Sequence, residues 1–135
     1  TLDCSATIGD AIDMMQKNRI GSVVITKDGK LEGIVTERDV LLKVIGLIEN
    51  YKTESITKVM TADPVSLMPG DAIAYALNNM HVGGYRHVPI VNEENEPISL
   101  VSIKDVVSFI MDYFPEEITN LTGTPFRGPV TRDSA

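Results

Sequence analysis

Two short segments of the chain each place a hydroxyl group three residues before a carboxylate. Thr36 and Asp39 form the first pair, and Ser102 and Asp105 form the second. Each pair follows a run of β-forming residues and opens a helical pattern, which predicts a capping box at the start of the helix. A nucleotide could use the same groups, because a helix N-terminus attracts phosphate and a nearby carboxylate can accept hydrogen bonds from ribose hydroxyls. The residues by themselves leave both interpretations open.

Basic side chains stand next to both pairs. Arg38 and Lys104 each come one residue before the aspartate, and Arg86 and His87 come just before a predicted strand. The planar guanidinium group of arginine suits phosphate, and histidine adds a further hydrogen-bond donor. The alternative is that these side chains are solvated, or in the case of His87 satisfied by the fold.

The chain repeats itself, and the repeat contains both pairs. The residues Gly-Asp-Ala-Ile at 9–12 recur at 70–73, an offset of 61 residues. The residues Thr-Glu-Arg-Asp at 36–39 match Ser-Ile-Lys-Asp at 102–105, an offset of 66 residues. Such internal similarity indicates two copies of one structural unit.

Apolar residues at helical spacing predict two helices in each copy. In the first copy these residues are Ile8, Ala11, Ile12 and Met15, then Leu41, Val44, Ile45 and Ile48. In the second copy they are Pro69, Ala72, Ile73 and Ala76, then Val107, Ile110, Met111 and Phe114. Pro69 suits the start of its helix, where no amide donor is needed. The later helices are predicted over residues 39–48 and 105–114.

Two runs of β-forming residues lie between the helices of each copy. In the first copy they flank Asp28-Gly29, a strong hairpin signal. In the second copy Pro89 cannot donate to a ladder, so its strand is predicted at an edge or with that side free. Each copy therefore has the order helix, strand, strand, helix after a short extended lead-in, an α/β (α+β) fold class. The predicted strands cover residues 22–26, 31–35, 88–91 and 98–101.

The repeat divides the chain into four predicted segments. They are a first repeat at residues 1–48, a linker at 49–60, a second repeat at 61–114 and a C-terminal tail at 115–135. The tail loses the apolar periodicity of the repeats and contains three prolines. The chain begins with Thr1, which indicates a piece excised from a larger protein.

Composition and missing motifs exclude several functions. The net charge of −7 argues against a general nucleic-acid binder. Cys4 is the only cysteine, so we expect neither an intrachain disulfide nor a zinc cluster of thiolates, and His81 and His87 lack a zinc spacing. No apolar run is long enough to span a bilayer. Because the chain also lacks a nucleophile elbow and a Walker loop, we predict no catalytic residue, no metal and no required cofactor.

Four segments together resemble the CBS domain, a family named after cystathionine β-synthase. They read GSVV at 21–24, GIVTERD at 33–39, RHVPIV at 86–91 and VSIKDV at 101–106. The resemblance covers residues 5–114 and implies tandem CBS domains, two β-α-β-β-α repeats packed with pseudo-twofold symmetry. It also implies a non-catalytic sensor that binds AMP, ADP, ATP or S-adenosylmethionine in clefts between the repeats. Such a module regulates an attached domain or a partner protein.

The same resemblance implies roles for single residues. The implied phosphate contacts are Thr36, Ser102, Arg86 and His87. Arg38 and Lys104 are further candidates from their position one residue before each aspartate, with solvated helix residues as the alternative. The implied ribose contacts are Asp39 and Asp105. Val24 and Ile25, with Val88 and Pro89, could form the wall of an adenine pocket, and core packing is the alternative. Tyr85 would lie at the approach to the pocket, with a plain loop as the alternative.

Charge distinguishes the two copies. Arg86 and His87 align with the uncharged Gly21 and Ser22, so the second-copy site, with Ser102 and Asp105, is predicted to bind phosphate more strongly. Because each cleft of a CBS pair borrows residues from the other copy, Arg86 can instead serve the cleft of Asp39. We expect an adenine nucleotide as ligand, a homodimer formed through the later helices, no nucleic acid and a cytoplasmic location. An oligomerisation or protein-interaction module with empty clefts is the alternative function.

Overall fold

The structure, a computed structural model, describes residues 1–119 of the chain. Its elements are β1 (Leu2–Asp3), α1 (Ile8–Asn18), β2 (Ser22–Lys27), β3 (Lys30–Thr36), α2 (Glu37–Asp39), β4 (Thr61–Ala62), α3 (Ile73–Gly83), β5 (His87–Val91), β6 (Pro97–Ser102), α4 (Ile103–Tyr113) and α5 (Pro115–Thr119). A π-helical turn (Val40–Val44) follows α2, and a 3-10 turn (Ile56–Lys58) precedes β4. The elements form an α+β fold, with one unit ending at Ile103 and a second starting at Lys104. The predicted tail lies outside the described residues from residue 120 onward.

A four-stranded sheet forms in the first half of the chain. Its strand order is β1-β2-β3-β4, with β1 parallel to β2 and the other neighbours antiparallel. The predicted hairpin between β2 and β3 is confirmed. Asp28 and Gly29 have φ values of 51° and 78°, the positive values that a two-residue type I′ turn requires.

The helix α1 contributes its apolar stripe to the core of this half, as predicted. The buried members of the stripe are Ile8, Ala11 and Met15. Thr7 caps the helix, because its Oγ1 accepts a hydrogen bond from the Asp10 amide at 3.1 Å. The Asp10 carboxylate in turn accepts from the Thr7 amide at 2.8 Å, which completes a capping box.

Residues 49–60 fold back onto the first half. Ile56 and Val59 are completely buried in the same core cluster as Ile8. The Ile8 amide also donates to the carbonyl of Glu54 at 2.9 Å. This segment therefore supplies apolar surface to the first core as well as connecting the two copies.

The second half contains a two-stranded antiparallel sheet of β5 and β6. On the other side of β5, Leu67 forms a single parallel bridge opposite Ile90. The Leu67 amide donates to the carbonyl of Pro89 at 2.9 Å, and the Val91 amide donates to the carbonyl of Leu67 at 2.8 Å. Within residues 1–119 this single bridge takes the place of a full strand on that side of β5, and it uses the carbonyl of Pro89, which fits a strand containing a residue that cannot donate.

The helix predicted over residues 39–48 is shorter than expected, and part of it is π-helical. Its regular turn ends at Asp39, and the Ile45 amide then donates to the carbonyl of Val40 at 3.1 Å. Ile45 is extended and Gly46 has a φ of 76°, so the helix cannot continue. The prediction was wrong because apolar spacing does not show which residues are buried. Of the predicted stripe, Val44 is buried and the exposed members are Leu41 and Ile45.

The prediction that Pro69 begins the second-copy helix was also wrong, since α3 begins at Ile73. The helix starts later than predicted because only one of the two hydrogen bonds of a capping box can form here. The Asp71 carboxylate accepts from the Met68 amide at 2.7 Å, but Met68 has no hydroxyl with which to cap a helix. Gly70 has a φ of 94°, which interrupts helical geometry before α3.

The two hairpin turns contact one another. The Leu31 amide donates to the carbonyl of Asn95 at 2.8 Å, and Lys30 Nζ donates to the carbonyl of Glu94 at 2.8 Å. Asn95 has a φ of 65°, a conformation that asparagine tolerates better than most residues. Main-chain carbonyls therefore connect the two copies at this end.

Candidate functional site

A cavity of about 600 Å³ lies within the unit formed by residues 1–103, where segments of both copies come together. Its lining residues are Gly21, Thr36, Glu37, Arg38, Leu41, Gly84, Tyr85, Arg86 and His87. The volume falls within the range of about 300–1,000 Å³ that is usual for small-molecule sites. Five of the predicted site residues share this cavity, namely Thr36, Arg38, Tyr85, Arg86 and His87.

Thr36 and Asp39 form the predicted capping box at the start of α2. The Thr36 Oγ1 accepts from the Asp39 amide at 3.2 Å, while Asp39 Oδ2 accepts from the Thr36 amide at 2.9 Å and from its hydroxyl at 2.8 Å. Lys43 Nζ lies 2.7 Å from Asp39 Oδ1. Both carboxylate oxygens of Asp39 are therefore engaged within the fold. A ribose hydroxyl that donates to Asp39 would therefore either share the carboxylate with these partners or displace one of them.

Backbone hydrogen bonds place Arg86 at the position in the second copy that Gly21 holds in the first. The Glu37 amide donates to the carbonyl of Gly21 at 2.9 Å, and the Ile103 amide donates to the carbonyl of Arg86 at 2.8 Å. The strand registers agree, because Ser22 pairs with Thr36 and His87 pairs with Ser102. The predicted difference in charge between the copies therefore occurs at matched positions.

Tyr85 is a half-buried residue in the wall of the cavity. Burial penalises the phenolate and raises the pKa of Tyr85 above its ordinary value of 10.0, and nearby Tyr75 adds to the shift. The Tyr85 hydroxyl therefore stays protonated near neutral pH and can donate a hydrogen bond to a ligand. Gly84, with a φ of 69°, caps the end of α3 and turns the chain into this wall.

The remaining predicted site residues lie elsewhere. Val88 and Pro89 are fully buried in β5 and do not line the cavity. Val24 lines a separate cavity of about 270 Å³, whose opposite wall is formed by residues of β6. Lys104 and Asp105 belong to the second unit, in the first turn of α4.

Glu37 and Leu41 line the cavity but were not among the predicted site residues. A signal for them was available in the sequence. Both follow Thr36 at the predicted start of a helix, and residues four apart lie on the same helical face. Glu37 adds an acidic residue to a lining that also includes Arg38 and Arg86.

The residues that line the cavity thus carry hydroxyl, guanidinium, imidazole and carboxylate groups, together with the apolar side chain of Leu41. Across residues 1–119 the side chains of histidine, cysteine, aspartate and glutamate nowhere form a group of three that could hold a metal ion. None of the described helices is long and apolar enough to cross a membrane.

Comparison with known proteins identifies the repeat. The family model for the CBS domain matches residues 1–46 and 56–112. The chain belongs to the CBS domain family. All lining residues of the 600 Å³ cavity fall within the matched segments, so the cavity is built entirely from CBS-domain sequence. The resemblance in the four sequence segments and the tandem arrangement are thereby confirmed.

Three known CBS proteins illustrate the similarity. The CBS domain-containing protein CBSX3, mitochondrial, from Arabidopsis thaliana is 31% identical over 120 residues, which cover 85% of this chain and 58% of the relative. A CBS-domain containing protein from Agrobacterium tumefaciens has 32% identity and a TM-score of 0.73, over 81% of this chain and 86% of that chain. A CBS domain protein from Pyrobaculum aerophilum, solved in complex with AMP, has 26% identity and a TM-score of 0.69, over 77% of this chain and 81% of that chain.

The match covers only part of the curated relatives. This chain spans 58% of the length of CBSX3 and 19% of the length of two longer Arabidopsis CBS domain-containing proteins. The names of CBSX3 and of the two solved proteins describe CBS domains and state no enzymatic activity.

Proposed function

We propose that this CBS pair is a regulatory module that binds an adenine nucleotide, with the phosphate in the 600 Å³ cavity. The observation that carries the proposal is the meeting of basic groups from both copies: Arg38 from the first and Arg86 and His87 from the second. These groups and the Thr36 hydroxyl can form hydrogen bonds with phosphate, and charge-assisted bonds are about twice as strong as neutral ones. In a chain of net charge −7, such a basic cluster favours an anion at this place.

The shared cavity favours the alternative in which Arg86 serves the cleft of the first copy. Arg86 and His87 line the same space as Thr36, whose partner in the capping box is Asp39. We propose that the nucleotide phosphate contacts Arg86 and that its ribose competes with the fold for Asp39. We separately propose a second nucleotide site. In it the ribose contacts Asp105, and Ser102 and Lys104 contact the phosphate.

We propose that the adenine contacts residues of β2 and β5. Val24 lines the 270 Å³ cavity together with apolar residues of α1 and β6, a lining that suits a purine ring. One nucleotide would have to pass Gly21 and Ser22, neighbouring residues that line the larger and the smaller cavity, to reach both. Val88 and Pro89 would contribute main-chain atoms, because their side chains are buried in β5.

The AMP complex of the Pyrobaculum relative supports an adenine nucleotide as ligand. AMP, ADP, ATP and S-adenosylmethionine are the candidates, and a thermal-shift panel of these four compounds with NAD tests them. A ligand that binds only the folded protein raises its stability by about 2.7 kcal/mol at a hundredfold excess over Kd. If no compound shifts the melting temperature, the sensor function is wrong for this ligand class.

The proposed module performs no chemistry on its ligand. AMP or ATP incubated with the purified protein should be recovered intact after hours, as measured by anion-exchange chromatography. Steady turnover that is abolished by Arg86→Ala would contradict a purely regulatory role. We also propose a cytoplasmic location for this chain; fractionation of cells tests it, because the Arabidopsis relative is named as mitochondrial.

The second candidate function is an oligomerisation module, and exposed apolar side chains favour it. In and after the π turn they are Leu41, Leu42, Ile45 and Leu47, and on α4 they are Val107, Phe109, Met111 and Tyr113. Large apolar side chains that are exposed on neighbouring residues of one segment are typical of interaction sites, so we propose a homodimer. Dimerisation and nucleotide binding are compatible, and the thermal-shift panel separates a sensor from a module with empty clefts.

A further inference from the structure

The cavity proposed to hold phosphate also contains a carboxylate, that of Glu37. Its place is defined by Gly21. A Cβ atom built on Gly21 would lie 3.3 Å from Glu37 Cδ and 3.4 and 3.5 Å from the two carboxylate oxygens. The carboxylate thus lies against the bare α-carbon of Gly21, and the backbone bond from the Glu37 amide to the Gly21 carbonyl holds the two residues together at 2.9 Å.

The second copy has no acidic group at the matched place. Ile103 occupies the position of Glu37, and Arg86 occupies the position of Gly21. The lining therefore combines Arg86 and His87 from the second copy with Glu37 and Arg38 from the first. Positively and negatively charged residues therefore line the same cavity.

This arrangement affects ligands according to their number of phosphates. Two guanidinium groups balance a phosphate monoester, which carries a charge of about −1.5 to −2 at neutral pH. Each further phosphate adds negative charge in a cavity where Glu37 already contributes one. Like charges that are brought together across a binding surface weaken binding strongly.

We propose that Glu37 makes this cavity selective for an adenine nucleotide with a single phosphate and disfavours ADP and ATP. The inference rests on the proposed nucleotide function and specifies its ligand. Glu37 acts as a specificity residue through charge, so the isosteric change Glu37→Gln removes the selectivity while the size of the side chain is kept.

The test is calorimetric titration of AMP, ADP and ATP, without divalent cations, into wild-type protein and Glu37→Gln. Glu93→Gln is the matched control, because Glu93 is exposed in the turn after β5 and does not line the cavity. We expect wild-type protein to bind AMP most tightly. We expect Glu37→Gln to bind ATP roughly tenfold more tightly than wild type, with a smaller gain for ADP and the least for AMP.

The possible results distinguish the selectivity role of Glu37 from the proposed nucleotide function. An equal change for all three nucleotides in Glu37→Gln overturns the selectivity role while the nucleotide function stands. Weaker binding of all three shows that Glu37 accepts a hydrogen bond from the ligand, and this also overturns the role. If wild-type protein binds none of them, the nucleotide function itself is wrong and the selectivity falls with it. A gain for ATP that shrinks as salt is added supports the electrostatic cause.

Discussion

The ring of Tyr85 lies over the α-carbon of Gly83, so closely that a Cβ atom on residue 83 would overlap the ring. Gly83 is the last residue of α3, and Tyr85 lines the 600 Å³ cavity. The end of this helix therefore sets the position of an aromatic side chain in the proposed binding site.

Gly83→Ala should displace the Tyr85 ring and weaken AMP binding without lowering the melting temperature. Alanine favours a helix by about 1 kcal/mol over glycine, which offsets the cost of moving a flexible side chain. A double-mutant cycle with Tyr85→Ala, measured by calorimetric titration, should give a coupling energy of about 0.5–3 kcal/mol. Additive effects of the two substitutions on binding would show that the contact does not shape the site.

Arg86→Ala should weaken AMP binding by about 1–3 kcal/mol, the usual effect of losing a hydrogen bond to a charged group. Arg38→Ala should have an effect of the same sign, because Arg38 lines the same cavity. Lys17→Ala is a control that removes a positive charge from the exposed end of α1. In the same titration, Asp39→Ala should weaken binding more than Asp105→Ala if Arg86 serves the first-copy cleft. The reverse order would assign Arg86 to the second-copy cleft, as first predicted from the sequence.

Thr36→Ala should lower the free energy of unfolding by about 1 kcal/mol, because it removes the cap of α2. Thr36→Ser keeps the hydroxyl and should retain most of that stability. Urea denaturation of the free protein measures both effects without ligand. A Thr36→Ala protein as stable as wild type would mean that the capping box contributes little, and that the hydroxyl is more readily released to a ligand.

Asp10→Asn should destabilise the protein more at pH 7 than at pH 3. The amide and hydroxyl of Thr7 donate to the Asp10 carboxylate and hold its pKa below the ordinary value of 3.8. A depressed pKa in the folded state stabilises the fold above the unfolded value, and this contribution is lost as the pH falls through the folded value. Melting curves at the two pH values measure the effect. Asp13→Asn, which removes a carboxylate from an exposed position of the same helix, is the matched control.

Purified protein at micromolar concentration should scatter light as a dimer. Leu42→Lys combined with Ile45→Lys should shift it toward monomer, because both side chains are more than half exposed and apolar. Lys52→Glu changes charge at another exposed position and should leave the dimer intact. If the wild-type sample contains only monomer, the homodimer proposal is wrong.

Local chemistry explains why the hairpin of the first copy could be predicted. Asp28 and Gly29 both need positive φ, and few residue pairs accept it, so the turn is encoded in two neighbouring residues. The helix predicted to reach residue 48 failed because its end depends on the conformation of Gly46 and on the burial of Val44. Neither property follows from apolar spacing alone.

The candidate site, too, could be predicted from the sequence only in part. Thr36, Arg38 and Arg86 could be selected from their chemistry and from the repeat. Their meeting in one cavity could not be predicted from spacing, because it depends on how the two copies pack. That packing includes the backbone bond between Leu31 and Asn95, which are 64 residues apart.

The burial of Ile56 and Val59 in the first core bears on the order in which this chain can fold as the ribosome releases it. Until residue 59 emerges, a nascent first copy has β1 to β3 and α1 but lacks two of its core side chains. The fourth strand of its sheet, β4, arrives only with Thr61 and Ala62. The first copy therefore has every residue of its core and sheet only when synthesis has passed the whole 49–60 segment and reached Ala62.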